Sequence, residues 1–141
     1  MSMTFSRVVS TATAAYAGYC FVEPSHLPKG LGWGPDHTQT GERIAYVLGV
    51  RDAAISAVGI FGDEHQVRRA MQTRMFFDVF DASVLAPQAA SGKDKAKVAA
   101  VALTWGAVNL AALTADSRRV RKASSLALLV ANPASIPRAL L

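Results

Sequence analysis

Four apolar segments separated by polar turns predict an all-α fold: a four-helix transmembrane bundle with a short C-terminal interfacial segment. Three observations carry this reading. Apolar residues make up 51% of the 141 residues, charged ones only 18%, and the mean hydropathy is +0.23. That balance excludes a disordered chain, which would be poor in apolar residues and rich in charge. The stretches 8–22 and 98–115 carry no charge, and a helix needs about 20 mostly apolar residues to cross a bilayer. No stretch alternates apolar and polar residues as a strand would. The bundle is expected over residues 1–116, and a basic tail over 117–141.

Helix one is expected over 5–22. Arg7, the apolar run and the small residues Ala12 and Ala14 imitate a secretory signal. Tyr19 ahead of Cys20 does not fit a lipoprotein cleavage site, and removal would leave an odd number of spans, so a retained first helix is the reading. Residues 23–43 hold three of the six prolines and four of the ten glycines and read as loop. Helix two, over 44–62, is apolar except for Arg51 and Asp52. DEH at 63–65 is a polar turn into helix three, over 69–90, which contains Arg74, Asp78 and Asp81, with Pro87 placed to stop or kink it. SGKDK at 91–95 leads into helix four, over 95–115. The tail opens with Arg118, Arg119, Arg121 and Lys122 and continues as SSLALLVANPASIPRALL. Its apolar run is too short to span and is expected at the interface or against the bundle.

Orientation follows the distribution of positive charge. Four spans put Arg7, Arg68, Arg69, Arg118, Arg119, Arg121, Lys122 and Arg138 on one side, and Lys29, Arg43, Lys93, Lys95 and Lys97 on the other. Both termini are therefore expected on the cytoplasmic face of the inner membrane. Arg118, Arg119, Arg121 and Lys122 are candidates for contact with anionic headgroups; the plainer reading is a topology signal.

Charges inside apolar segments need a reason, because one at mid-membrane costs about 2.5–3.5 kcal/mol on insertion scales. At 100° per residue, Arg74, Asp78 and Asp81 fall within about 60° of one another on helix three. They share that face with Met71 and Leu85, whereas Phe76, Phe80 and Val84 lie on another face suited to lipid or a partner. In antiparallel helices Arg51 and Asp81 lie at nearly equal depth, so Arg51 is expected to pair with Asp81 or Asp78, and Arg74 with Asp78 at i,i+4. Together with Asp52, two arginines face three aspartates. The set is either a proton or ligand site or an ion network locking helices two and three. Gly49, Ala53 and Ala57 on helix two, and Ala102 with Gly106 on helix four, form strips of small residues that permit close helix approach. Asn109 is expected to bond across the bundle, and Trp105 to pack.

Other chemistries find little here. A single cysteine, Cys20, allows no intramolecular disulfide and no CxxC centre. His26, His37 and His65 all fall in expected loops and read as solvated, so neither an intramembrane bis-histidine haem nor a metal cluster is expected. The glycines of KGLGWG lack the strand-to-helix setting of a nucleotide fold. No Ser–His–Asp arrangement assembles. The cations sit at helix ends rather than in a stripe, which disfavours nucleic acid. No cofactor is expected.

The order of features carries a resemblance. Glu23-Pro24 and the turn LGWG at 31–34 precede GVRDAAIS at 49–56, an arginine-rich turn, and DVFDA at 78–82. Over about residues 5–115 the chain resembles a bacterial family of small four-span membrane proteins of unknown function, broadly similar to DoxX-like bundles. The Gly-Val-Arg-Asp run at 49–52 with Asp81-Ala82 is the most specific element. The resemblance implies a four-helix membrane bundle with Arg51, Asp52 and Asp81 at its centre. It implies no reaction. Asp78 and the basic C-terminal extension depart from the pattern.

The expected function is that of a non-catalytic accessory subunit of a larger respiratory or envelope-transport complex, with the lipid bilayer and membrane-protein subunits as partners. The alternatives are a proton-linked carrier or small-molecule binder using the Arg–Asp site, an enzyme acting on lipid or quinone, and a soluble helical bundle.

Overall fold

Alanine-, valine- and leucine-rich runs fold into helices wherever a side chain or a neighbouring element satisfies the orphan polar groups at their ends. A computed structural model describes residues 3–131, and among them there are helices and turns but no strand. Helix α1 spans Thr4–Val22, the short α2 His26–Gly30, α3 Thr38–Phe61, α4 Glu64–Leu85 and α5 Gly92–Ala131. Single 3₁₀ turns, Pro35–His37 and Ala86–Gln88, lead into α3 and out of α4. The four long helices form an up-down-up-down bundle. Ser10 of α1 meets Gly59 of α3 while Ala17 and Cys20 meet Gly49. Arg51 of α3 reaches Asp81 of α4, and Arg68 of α4 reaches Ser117 of α5.

Several boundaries differ from those expected. The segment 23–43 is not all loop: it holds α2, a 3₁₀ turn and the first turn and a half of α3. Gly32, at φ +68°, makes the turn after α2, a conformation that costs a glycine little. Helix α4 starts at Glu64 rather than 69. Asp63 accepts the Gln66 N–H at 2.8 Å and the Gln66 side chain accepts the Asp63 N–H at 2.8 Å, a capping box at the helix start. The same helix stops at Leu85 rather than 90, because Pro87 at the second position of the following 3₁₀ turn cannot continue the α-helical bonding. The largest departure is α5. Expected to end at 115, it runs on through the basic cluster for 40 residues, about 60 Å at 1.5 Å per residue and twice the thickness of a hydrocarbon core. Neither glycine nor proline interrupts 107–131, so no local signal ends the helix there. The remainder of the expected interfacial segment, with Arg138, lies outside the described residues.

Side chains on α1 and α3 explain their close packing. The buried stripe of α1 is Ser6, Ser10, Thr13, Ala17 and Cys20; that of α3 is Gly41, Ala45, Gly49, Asp52, Ser56 and Gly59. Both repeat at intervals of three and four, and nearly every member is small, so the two backbones approach closely. This seam shares only Gly49 with the strip expected at Gly49, Ala53 and Ala57; Ala57 is exposed.

Polar side chains share the interior with the apolar core, and much of the exterior is apolar, unlike an ordinary soluble domain. Ser6, Ser10, Thr13, Asp52, Ser56, Arg74, Asp78, Asn109 and Asp116 are buried, whereas Val22, Val47, Phe61, Phe76, Val79, Leu110 and Leu128 are exposed. Two helical segments, Pro35–Phe61 and Gly92–Leu128, are long and apolar enough to cross a membrane.

Candidate functional site

The charges of α3 and α4 meet in the middle of the bundle. Arg51 donates from Nη1 and Nη2 to the two Asp81 oxygens at 2.8 and 2.7 Å, and from Nε to Asp52 Oδ1 at 2.9 Å. Its guanidinium also lies 4.5 Å from the centre of the Phe77 ring. A planar fork on a carboxylate is the strongest geometry an arginine offers. Arg74 is deeper, 6% exposed, with Nη1 2.5 Å from Asp52 Oδ1 and Nε 3.1 Å from Asp78 Oδ1. These contacts lie within ion-pair distance but off hydrogen-bond alignment, leaving Nε and Nη1 without a hydrogen bond. Asn109 of α5 donates to Asp78 Oδ2 at 3.3 Å and to the Trp105 carbonyl at 2.8 Å. Gly106 allows α5 to lie against Asp78: a Cβ there would stand 3.3 Å from the Asp78 Cβ.

All five expected network residues, Arg51, Asp52, Arg74, Asp78 and Asp81, are thus in one place. Arg51 takes Asp81, and Arg74 bridges Asp52 to Asp78. One acceptor in the cluster has no partner: Asp52 Oδ2, on a residue 1% exposed. Ser56, one turn along the same face of α3, also has an unbonded, buried hydroxyl.

The network lines a cavity of about 300 Å³. Arg51, Asp52, Arg74, Asp78 and Asp81 all contribute to its wall, with Leu48 from α3, Leu85 from α4, and Val98, Val101, Ala102 and Trp105 from α5. Leu27 and Leu31 of the α2 region also line it. Along α3, α4 and α5 the apolar wall residues lie on the α2 side of the charges, so the cavity has apolar sides and an ionic floor. His26, Gly30 and Lys97 belong both to this cavity and to a second one of about 290 Å³, lined further by Tyr19, Glu23 and Lys29. These residues mark the mouth.

Several of these residues were not legible as site residues. His26 is not a solvated loop histidine; it sits at the start of α2, with Nε2 3.2 Å from the Tyr16 hydroxyl and Nδ1 2.6 Å from the Glu23 carbonyl. Lys97 reads in sequence only as a charge before an apolar run. Trp105 lines the cavity as well as packing. At the mouth, hydrogen bonds from Ser25 and Lys29 hold the exposed Glu23 carboxyl below the usual glutamate range.

The basic residues of α5 lie elsewhere. Arg118, Arg119, Arg121 and Lys122 are exposed at the opposite end of the bundle, where the Arg119 guanidinium stands 4.3 Å over the Phe5 ring. Among the described residues, no three His, Cys, Asp or Glu side chains converge to hold a metal ion. No family model matches this chain, and neither a curated protein nor a solved structure is significantly similar to it.

Proposed function

We propose that this chain is a four-span membrane protein that binds a small molecule in the cavity between α3, α4 and α5, with the Arg–Asp network as its polar floor. The observation that carries the reading is the coincidence of the cavity with the network: all five buried charges border the same space. A purely structural ion lock would be expected to close on itself and to be packed over, since interiors otherwise fill to crystal-like density. The size of the cavity lies at the lower end of the range for small-molecule sites.

The membrane reading rests on the exposed apolar side chains. Helices α1, α3, α4 and α5 have 19, 24, 22 and 40 residues, each about 28 Å or longer at 1.5 Å per residue, which suits a hydrocarbon core of about 30 Å. The end carrying Arg7, Arg68, Arg69, Arg118, Arg119, Arg121 and Lys122 is the cytoplasmic end in this reading, with the α5 cations at the anionic headgroups. The accessory-subunit function is the second reading, favoured by the broad exposed apolar surface.

Two measurements decide. Washing native membranes at alkaline pH should leave the protein in the pellet; release would overturn the spanning bundle. Native mass spectrometry of detergent-purified protein should show about one small molecule per chain, lost in Ala102→Trp, which fills the cavity wall. Stoichiometric protein partners with no small molecule would move the conclusion to the accessory subunit.

A further inference from the structure

The charges and the acceptor inventory of the floor define a ligand class. Two guanidinium groups face three carboxylates there, and each guanidinium is already committed: Arg51 to Asp81 and Asp52, Arg74 to Asp52 and Asp78. Lys97 cannot complete the balance. It lies two helical turns before Trp105 on α5, about 12 Å along the axis at 1.5 Å per residue, and its side chain is exposed at the mouth. Arg74 Nε and Nη1 make no hydrogen bond, but each stands within ion-pair distance of a carboxylate, whereas Asp52 Oδ2, on a side chain 1% exposed in the cavity wall, has no donor. A buried carboxylate oxygen without a donor is costly, and a cationic donor satisfies both its charge and its lone pair. Leu48, Leu85, Val98 and Trp105 make the wall next to the floor apolar, and Tyr16, His26 and Lys97 also line the cavity.

We propose that the cavity takes an organic cation: a protonated amine on a compact apolar body, with its ammonium group donating to Asp52 Oδ2 and its body against Leu48, Leu85 and Trp105. This rests on the small-molecule reading above and adds the sign of the charge to it. An anionic ligand would meet the surplus negative charge of the floor, and a neutral donor would satisfy the lone pair but not the charge.

Trp105 provides the readout. In a Trp33→Phe background it is the sole tryptophan, since the chain has two. The protein, reconstituted in lipid nanodiscs at neutral pH, is titrated with 4-bromobenzylamine, 4-bromobenzyl alcohol and 4-bromobenzoate. These have nearly the same shape but carry an ammonium, no charge and a carboxylate, and their bromine quenches indole fluorescence on contact. The amine should quench saturably, with at least ten-fold higher affinity than the alcohol and with the carboxylate weakest. Asp52→Asn should abolish the preference for the amine while the alcohol still binds. Equal affinity of amine and alcohol, or preference for the carboxylate, overturns the cation proposal and leaves the cavity reading standing. Absence of saturable quenching by all three overturns both. The wild-type series decides even where Asp52→Asn fails to fold, and Ala102→Phe then separates cavity binding from partition into lipid: filling the cavity should remove the saturable component, and its persistence would overturn the assignment.

Discussion

The two ends of the bundle are built on opposite rules. At the end where α1 begins, helix termini are closed by side chains: α4 by its own capping box, α1 and α3 by residues of other helices. Helix α1 has no cap of its own; Asp116 of α5 accepts the Phe5 and Ser6 N–H groups at 3.3 and 2.8 Å. The C-terminal carbonyls of α3, Ile60 and Gly62, accept from Arg7 of α1. Anion at an N-terminus and cation at a C-terminus both favour the helix dipole. Met3, Val67, Met71, Ala112 and Leu113 fill the space between. At the other end, α2 folds back over Leu31, Ala45 and Ala89, and the interior beneath it is left open. The closed end is packed through, and the five charges border the space left unfilled beneath α2.

The contrast can be broken most forcefully at the floor. Arg74→Met leaves Asp52 and Asp78 buried without their cation, and should cost about 3–5 kcal/mol, as removal of one partner of a buried pair does. Thermal unfolding in detergent checks this; a shift no larger than that of a surface substitution would mean that the network is solvated. Arg51→Met should cost less, because Arg51 and Asp81 are partly exposed.

At the closed end, Asp116→Ala should cost about 1–2 kcal/mol, the usual range for a lost N-cap acceptor, and should speed amide exchange in the first turn of α1 while the α2 region stays unchanged. Concerted loosening of both ends would show that they are not separable. The reciprocal change is Gly41→Ala. A Cβ there would stand 2.6 Å from the Pro28 Cβ, so α2 must shift, at about 1–3 kcal/mol for an overpacked contact. Exchange should rise at 26–34 and not at 63–71.

The smallest effect is expected at the mouth. Because the Glu23 carboxyl is held below its usual range, the unfolded state binds its proton more readily, and its stabilising contribution is present above the ordinary glutamate range and lost as pH falls through the lowered folded value. Lowering pH toward 3 should therefore loosen the Ser25–Lys29 segment in wild type, and Glu23→Gln should remove that dependence. An unchanged profile in the variant would assign the effect to another group.

Much of the fold was legible. The helical periodicity of α4 placed Arg74, Asp78 and Asp81 on one face, and matching depths in antiparallel helices pointed Arg51 to Asp81 or Asp78. The start of α4 was legible in principle, since Asp63 and Gln66 have capping-box spacing. The end of α5 was not, because an apolar-to-basic change marks a change of environment and not a break in backbone bonding. Asp116 was not legible as a cap either: its partner is more than a hundred residues away, and only packing brings the two together.

Helix formation, the inward stripe of charge and the grouping of cations at helix ends follow from the amino-acid sequence, because they depend on residues within a few turns of one another along the chain. Which aspartate takes which arginine, that Asp52 retains a free oxygen, and that the five charges border a cavity were decided only by the tertiary structure. Those properties depend on how four helices and α2 share one volume, and local spacing carries no information about a space that no segment encloses alone.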